Sequence, residues 1–110
     1  MILAVDIGNT NIVLGILDGD TLINECRLST AVNDSAEEYA IKLNSILEIC
    51  KINPEDIEGS VISSVVPPLI RTVSKAIMLI TGKKSIVIGP GVKQVLILRQ
   101  TILPSLAQIW

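Results

Sequence analysis

The chain lacks histidine and phenylalanine altogether and has one tryptophan, one tyrosine and two cysteines among 110 residues. Cys26 and Cys50 have no CxxC spacing and no histidine to join them, which excludes a zinc site and a dithiol redox motif as sequence readings. They are expected to be buried thiols in a reducing compartment rather than a disulfide. A net charge of -2 and a pI near 5.0 leave no basic footprint, and 2% aromatic residues provide no stacking platform for bases. Nucleic acid is therefore not an expected partner. No apolar stretch reaches the roughly 18 residues that span a bilayer. Asp6 interrupts the apolar start, and no basic leader or small-residue cleavage site follows it. The expectation is a cytoplasmic protein with no membrane partner.

What is abundant is aliphatic. The hydrophobic fraction is 49%, so the core must be built from Ile, Val and Leu, which suits buried strands with helices packed on them. The length fits one domain, small for an enzyme that closes over two substrates. Ile2 to Val5 is a continuous apolar run, and Ile12 to Leu17 and Leu22 to Leu28 are strand-like runs joined through Asp18-Gly19, a hairpin signal. Ser35 followed by Glu38 reads as a capping box. Ala36, Ala40, Leu43, Leu47 and Cys50 then recur at helical spacing and predict a helix from about Ala36 to Lys51. Asn53 to Asp56 reads as a capped short turn, and Ser60 to Val65 as a further strand. Pro67-Pro68 opens a second helix lined by Leu69, Val73, Ala76 and Ile80. Gly82 stops it, with Lys83 and Lys84 at the negative end of its dipole. Ser85 to Ile88 is a fifth strand. The order β-β-β-α-β-α-β implies a mixed sheet with flanking helices, since helical crossovers return a strand parallel to its predecessor. This is the order of the ribonuclease H-like α/β fold.

Within that frame the stretch Val5-Asp6-Ile7-Gly8-Asn9-Thr10-Asn11-Ile12-Val13 stands out. A core strand has no use for a carboxylate, yet Asp6 lies at the carboxyl end of the first strand, where open α/β sheets bind ligands. Gly8 to Asn11 must turn the chain straight back, which bares backbone N–H groups. The Gly permits close approach of phosphate oxygens, and Thr10, Asn9 and Asn11 add donors. Asp6 is the candidate magnesium ligand, directly or through water. Those parts suit phosphoryl transfer, which depends on positioning and charge neutralisation. The competing reading is that Asp6 and Asn9 merely build the turn through side-chain to backbone hydrogen bonds.

Other motifs fail on order. Thr81-Gly82-Lys83-Lys84-Ser85 has a Walker look but lacks the first Gly and follows a helix instead of preceding one. Gly89-Pro90-Gly91 begins like a dinucleotide loop, yet residue 94 is Gln and no helix pattern follows, leaving a substrate-side loop or a plain turn. Glu37, Glu38, Glu55 and Asp56 sit in first turns of helices, where the dipole accounts for them. For Arg27 a surface role is favoured over anion binding.

The segments Val5-Asp6-Ile7-Gly8-Asn9-Thr10-Asn11, Arg27-Leu28-Ser29-Thr30, Ile62-Ser63-Ser64-Val65-Val66-Pro67-Pro68 and Gly89-Pro90-Gly91-Val92-Lys93 resemble, in order, the signatures of type III pantothenate kinases. This family, also called Bvg accessory factor, belongs to the actin/Hsp70/sugar-kinase superfamily. The resemblance implies ATP-dependent phosphorylation of pantothenate at the first step of coenzyme A biosynthesis, with magnesium and a monovalent cation, potassium or ammonium, as cofactors. It also implies a homodimer. The family's nucleotide-binding segment carries over to Asp6 through Val13, and Gly89, Pro90 and Gly91 fall on its substrate side.

The resemblance divides the chain into residues 1–93, an N-terminal ATP-binding subdomain, and residues 94–110, a divergent tail. Family members continue with Thr-Gly-Leu, Asp-Asn-Pro and then Gly-Ala-Asp, whose Asp is the proposed base. Here the chain reads QVLILRQTILPSLAQIW. Permitted codons for this tail, shifted by one restored adenine after Lys93, encode Thr-Gly-Leu, Asp-Asn-Pro and Gly-Ala-Asp at family spacing. The missing Asp would span what are now Gln108 and Ile109. Residues 94–110 are therefore expected to come from a non-native reading frame, and the chain is expected to lack a catalytic base and to be inactive alone. A nucleotide-binding or regulatory module, or a structural domain, is the alternative. The apolar tail and an uncovered sheet face predict self-association.

Overall fold

A computed structural model describes residues 1–19 and 21–88. Its elements are β1 (Ile2–Ile7), β2 (Asn11–Asp18), β3 (Thr21–Ser29), α1 (Ala36–Ile49), a 3-10 turn (Pro54–Asp56), β4 (Gly59–Ser64), α2 (Pro67–Thr81) and β5 (Ser85–Ile88). They form one five-stranded sheet in the order β3-β2-β1-β4-β5. The β1 to β3 meander is antiparallel, whereas β4 runs parallel to β1 and β5 parallel to β4, as each helical crossover requires. The expected mixed ribonuclease H-like topology is thus the observed one.

Local chemistry sets the boundaries. Glu38 N–H donates to Ser35 Oγ at 3.1 Å, and Ser35 N–H donates to Glu38 Oε1 at 2.8 Å, completing the capping box of α1. α2 starts on Pro67 and ends on Gly82, whose φ of 74° is the left-handed conformation that glycine adopts without cost. Lys83 sits at the end of α2 as expected and in addition ties it to the turn before β4, its Nζ donating to the Ile57 carbonyl at 2.7 Å.

The two faces of the sheet differ. Leu3, Val5 and Ile7 of β1 and Ile12, Leu14 and Ile16 of β2 form one buried cluster with Tyr39, Leu43 and Leu47 of α1 and Leu69, Val73, Ala76 and Ile77 of α2. Both helices therefore cover the same face. Tyr39, absent from the predicted stripe, is fully buried, and its hydroxyl donates to Ala31 O at 2.9 Å and accepts from Ala31 N–H at 2.8 Å. It fixes the segment that leaves β3. On the opposite face Ala4, Leu17 and Val61 form a small separate cluster with Ile2, Leu22 and Ile88, to which no helix residue among the described residues contributes. Asp6 lies on this second face.

Candidate functional site

Strand register builds the site. Asp6 stands opposite Val13 on β2 and beside Ser63 on β4, Val13 opposite Arg27 on β3, and Ser63 beside Ile88 on β5. Residues paired in this way share a face, so Ile88, Ser63, Asp6, Val13 and Arg27 make one row across the sheet. The row lies near the carboxyl ends of the parallel strands β1 and β4, where Ile7 pairs with Ser64.

Asp6 is half-buried. Its Oδ1 is shielded from solvent and has no hydrogen-bond partner among the described residues, and desolvation pushes the carboxyl above its ordinary value of 3.8. A buried, unpaired carboxylate oxygen is costly, and in a native fold it calls for a partner that is not protein.

The loop beyond it is held by backbone. Gly8 N–H donates to the Asn11 carbonyl at 2.9 Å, and Val65 N–H donates to Ile7 O at 3.1 Å. On the other side Thr30 Oγ1 donates to Gly8 O at 2.7 Å and Thr30 N–H to Thr10 O at 2.9 Å. A Cβ on Gly8 would come within 2.9 Å of the Asn11 carbonyl oxygen, so glycine is needed first for the turn itself. Among the described residues no hydrogen bond from the Asp6 or Asn9 side chain closes this turn, as the turn-building reading would require. Asn9, Thr10 and Asn11 are exposed, and no hydrogen bond commits their side chains among the described residues.

The nine-residue stretch thus divides by function. Asp6, near the end of β1, sets a half-buried carboxylate beside the turn from Gly8 to Asn11, whose Asn9, Thr10 and Asn11 face solvent, while Ile7 and Ile12 point into the helix-covered core and can offer a ligand only backbone. Val13 faces the same side as Asp6. Gly89, Pro90 and Gly91 lie outside the described residues. Two further groups were not singled out by sequence reasoning. Thr30 is the loop's brace, and its signal was its place in the Arg27 to Thr30 segment. Ser63, fully buried, adjoins Asp6; its signal was its place in the Ile62 to Pro68 segment, and the parallel register sets it beside the carboxylate. Arg27, taken as a surface residue, is exposed, but on the Asp6 row.

A metal fits here in a limited way. Among the described residues no group of three Cys, Asp or Glu side chains could hold an ion. Magnesium suits such a place, since it commonly takes one carboxylate, substrate phosphates and several waters.

Comparison with known proteins decides the kinship. The sequence model of the type III pantothenate kinase family matches residues 2–101. The chain belongs to the type III pantothenate kinase family. A type III pantothenate kinase from Exiguobacterium sp. strain AT1b is 42% identical over 93 residues, which cover 84% of this chain and 37% of that protein. This pantothenate kinase family chain therefore spans little more than a third of such a relative. Among solved structures, a putative N-acetylglucosamine kinase from Porphyromonas gingivalis superposes with a TM-score of 0.62 at 17% identity, covering 82% of this chain and 34% of that one. A ROK hexokinase from Thermus thermophilus gives 0.58 at 16% identity, covering 80% and 34%. At that identity the likeness establishes the fold alone, a mixed ribonuclease H-like sheet with flanking helices.

Proposed function

We propose that the Asp6 to Asn11 loop binds the phosphates of ATP, that Asp6 holds a magnesium ion on them, and that the whole protein transfers the terminal phosphoryl group to pantothenate in the cytoplasm. The observation that carries this reading is the unpartnered, buried Asp6 Oδ1 beside a loop of uncommitted donors. Family membership supplies the reaction and the acceptor.

The division of labour follows from the residues. Asp6 holds the metal, directly or through its waters, and Thr10 and the asparagine amides meet phosphate oxygens. The Thr30 and Val65 hydrogen bonds keep the loop in place, so little reorganisation accompanies binding. Arg27, on the same row and in no ion pair among the described residues, supplies a cation toward the phosphate side. Magnesium, when bound, neutralises developing charge on the phosphates. Gly89 to Gly91 would approach the acceptor. The catalytic base belongs to sequence that residues 94–110 replace, and the monovalent cation and dimer belong to the remainder of the protein.

Titration with manganese and an ATP analogue, followed by paramagnetic broadening of backbone resonances, tests the site. Broadening centred on Asp6 to Asn11 in the wild type and lost in Asp6→Asn is expected; equal broadening in both would overturn it. A coupled assay with pantothenate separates kinase from nucleotide-binding module. Turnover by the longer gene product with the shifted frame restored, and none by this chain, is the expected outcome.

A further inference from the structure

Cys26 and Cys50, 24 residues apart in sequence, bring their Sγ atoms to 3.0 Å. Cys26 lies on β3, opposite Leu14 on the helix-covered face, and Cys50 caps the end of α1, where its N–H donates to Ile46 O at 3.0 Å. Both are free thiols and both are half-buried, so a small reagent can reach them. Cys26 Sγ also donates to Asn24 Oδ1 at 3.7 Å, and no carboxylate or third cysteine completes a metal set among the described residues. The nucleotide loop uses neither. The pair was expected to be buried thiols and not a disulfide; both are free thiols, half-buried, and the sheet and helix bring them into contact.

We propose that Cys26 and Cys50 form a reversible disulfide site that staples β3 to the C-terminal end of α1, closed by exchange with a small-molecule disulfide of the glutathione type. One thiolate attacks the reagent, forming a mixed disulfide and releasing one reagent thiolate. The second protein thiol, losing its proton, attacks the protein sulfur of that mixed disulfide. The Sγ–Sγ bond forms, the second reagent thiolate leaves, and the two protons lost by the protein are carried by the two reagent thiols. Protein sulfur is oxidised and the reagent disulfide is reduced, with nothing left over. Roughly 1 Å of approach separates the present contact from a bond of about 2.05 Å. Burial and the hydrogen bond to Cys50 raise the Cys26 thiol to about 11, so little of it is thiolate near neutral pH, and exchange through it is slow there and quickens as pH rises.

The staple acts on a strand that matters. Downstream of Cys26, β3 carries Arg27 and leads to Thr30, whose hydroxyl and N–H hold Gly8 and Thr10. Closing the bond fixes that brace to α1 and restricts the unfolded chain by a loop of the intervening residues. The inference stands on the thiol geometry and holds whether or not the loop binds nucleotide.

The chain contains only these two cysteines, so mass spectrometry after incubation with oxidised glutathione reads the chemistry directly. The expected product is a monomer lighter by two hydrogens, without adduct, unreactive to maleimide, restored by dithiothreitol and melting above the reduced form. Cys26→Ser and Cys50→Ser should each stop at a single glutathione adduct. Two glutathione adducts on the wild type, intermolecular dimers on a non-reducing gel, or folded protein that remains a dithiol would overturn the proposal.

Discussion

Replacing Asp6 by Asn should stabilise the ligand-free protein and abolish its response to magnesium and nucleotide, two effects of opposite sign from one atom. In the free protein Asp6 Oδ1 is buried without a partner. Asn leaves a polar atom there too, so what the variant recovers is the excess cost of burying a charge over a neutral group, and because the residue is half-exposed the lower end of a range of about 1–3 kcal/mol, ~1 kcal/mol, applies. For a domain of this size that is a rise in melting temperature of about 4–8 °C. The pH dependence has a definite sign. Desolvation holds the folded carboxyl above its ordinary value of 3.8, so the folded state binds more protons than the unfolded state in the window above 3.8. Stability associated with Asp6 is full below that value and is lost as pH rises through the raised one. The advantage of the Asn variant must therefore be absent at low pH and grow as pH rises toward neutrality. With ligand the order reverses. At a hundredfold excess over its dissociation constant, a ligand that binds only the folded state adds about 2.7 kcal/mol. The wild type should gain that and the variant should not. Differential scanning fluorimetry across pH, with magnesium and an ATP analogue and with chelator, reads both effects. A variant less stable than the wild type when free, or one that keeps the ligand-induced shift, would refute the reasoning.

Gly8→Ala should lower stability by about 1–3 kcal/mol in urea unfolding, since its Cβ meets backbone at 2.9 Å and the turn must move. Thr30→Val deletes the 2.7 Å hydrogen bond to Gly8 O; a loss of ~1 kcal/mol is expected, together with faster amide exchange in the loop while α1 is unaffected. Arg27→Met should weaken nucleotide binding about two- to fivefold by calorimetry, the worth of an exposed charge contact, and leave the melting temperature unchanged. Light scattering of the wild type at rising concentration should show self-association, and a monodisperse monomer would contradict the exposed-face argument.

How much of this could be read from the chain depended on whether the signal was local. Ser35 and Glu38 act three residues apart, so the capping box was legible and the hydrogen bonds confirm it. The aliphatic runs, the Asp18-Gly19 turn and the Pro67 start are equally local, and together with the crossover rule they led to the sheet. Asp6 was legible because a carboxylate at the end of an apolar strand conflicts with its surroundings. What could not be read was anything decided by register between distant strands. Ser63 and Arg27 join the Asp6 row only because β4 lies parallel and β3 antiparallel with one particular alignment, and a shift of one residue would turn either side chain to the other face. The same limit hid the thiol pair. Cys50 sits at the end of a helical stripe and Cys26 in an edge strand, and no spacing rule links residues on two elements joined through a long segment. Tyr39 shows the intermediate case: the helix was predicted, but its hydroxyl contacts at Ala31 depend on where the chain leaves β3. Gly8 carries the sharpest lesson. Its presence was read as room for a phosphate; the structure adds that a Cβ there would meet the Asn11 carbonyl at 2.9 Å, so the turn itself also requires glycine. A change at Gly8 therefore disturbs the turn and any binding together, and that is why the Asp6 variant discriminates between readings more sharply.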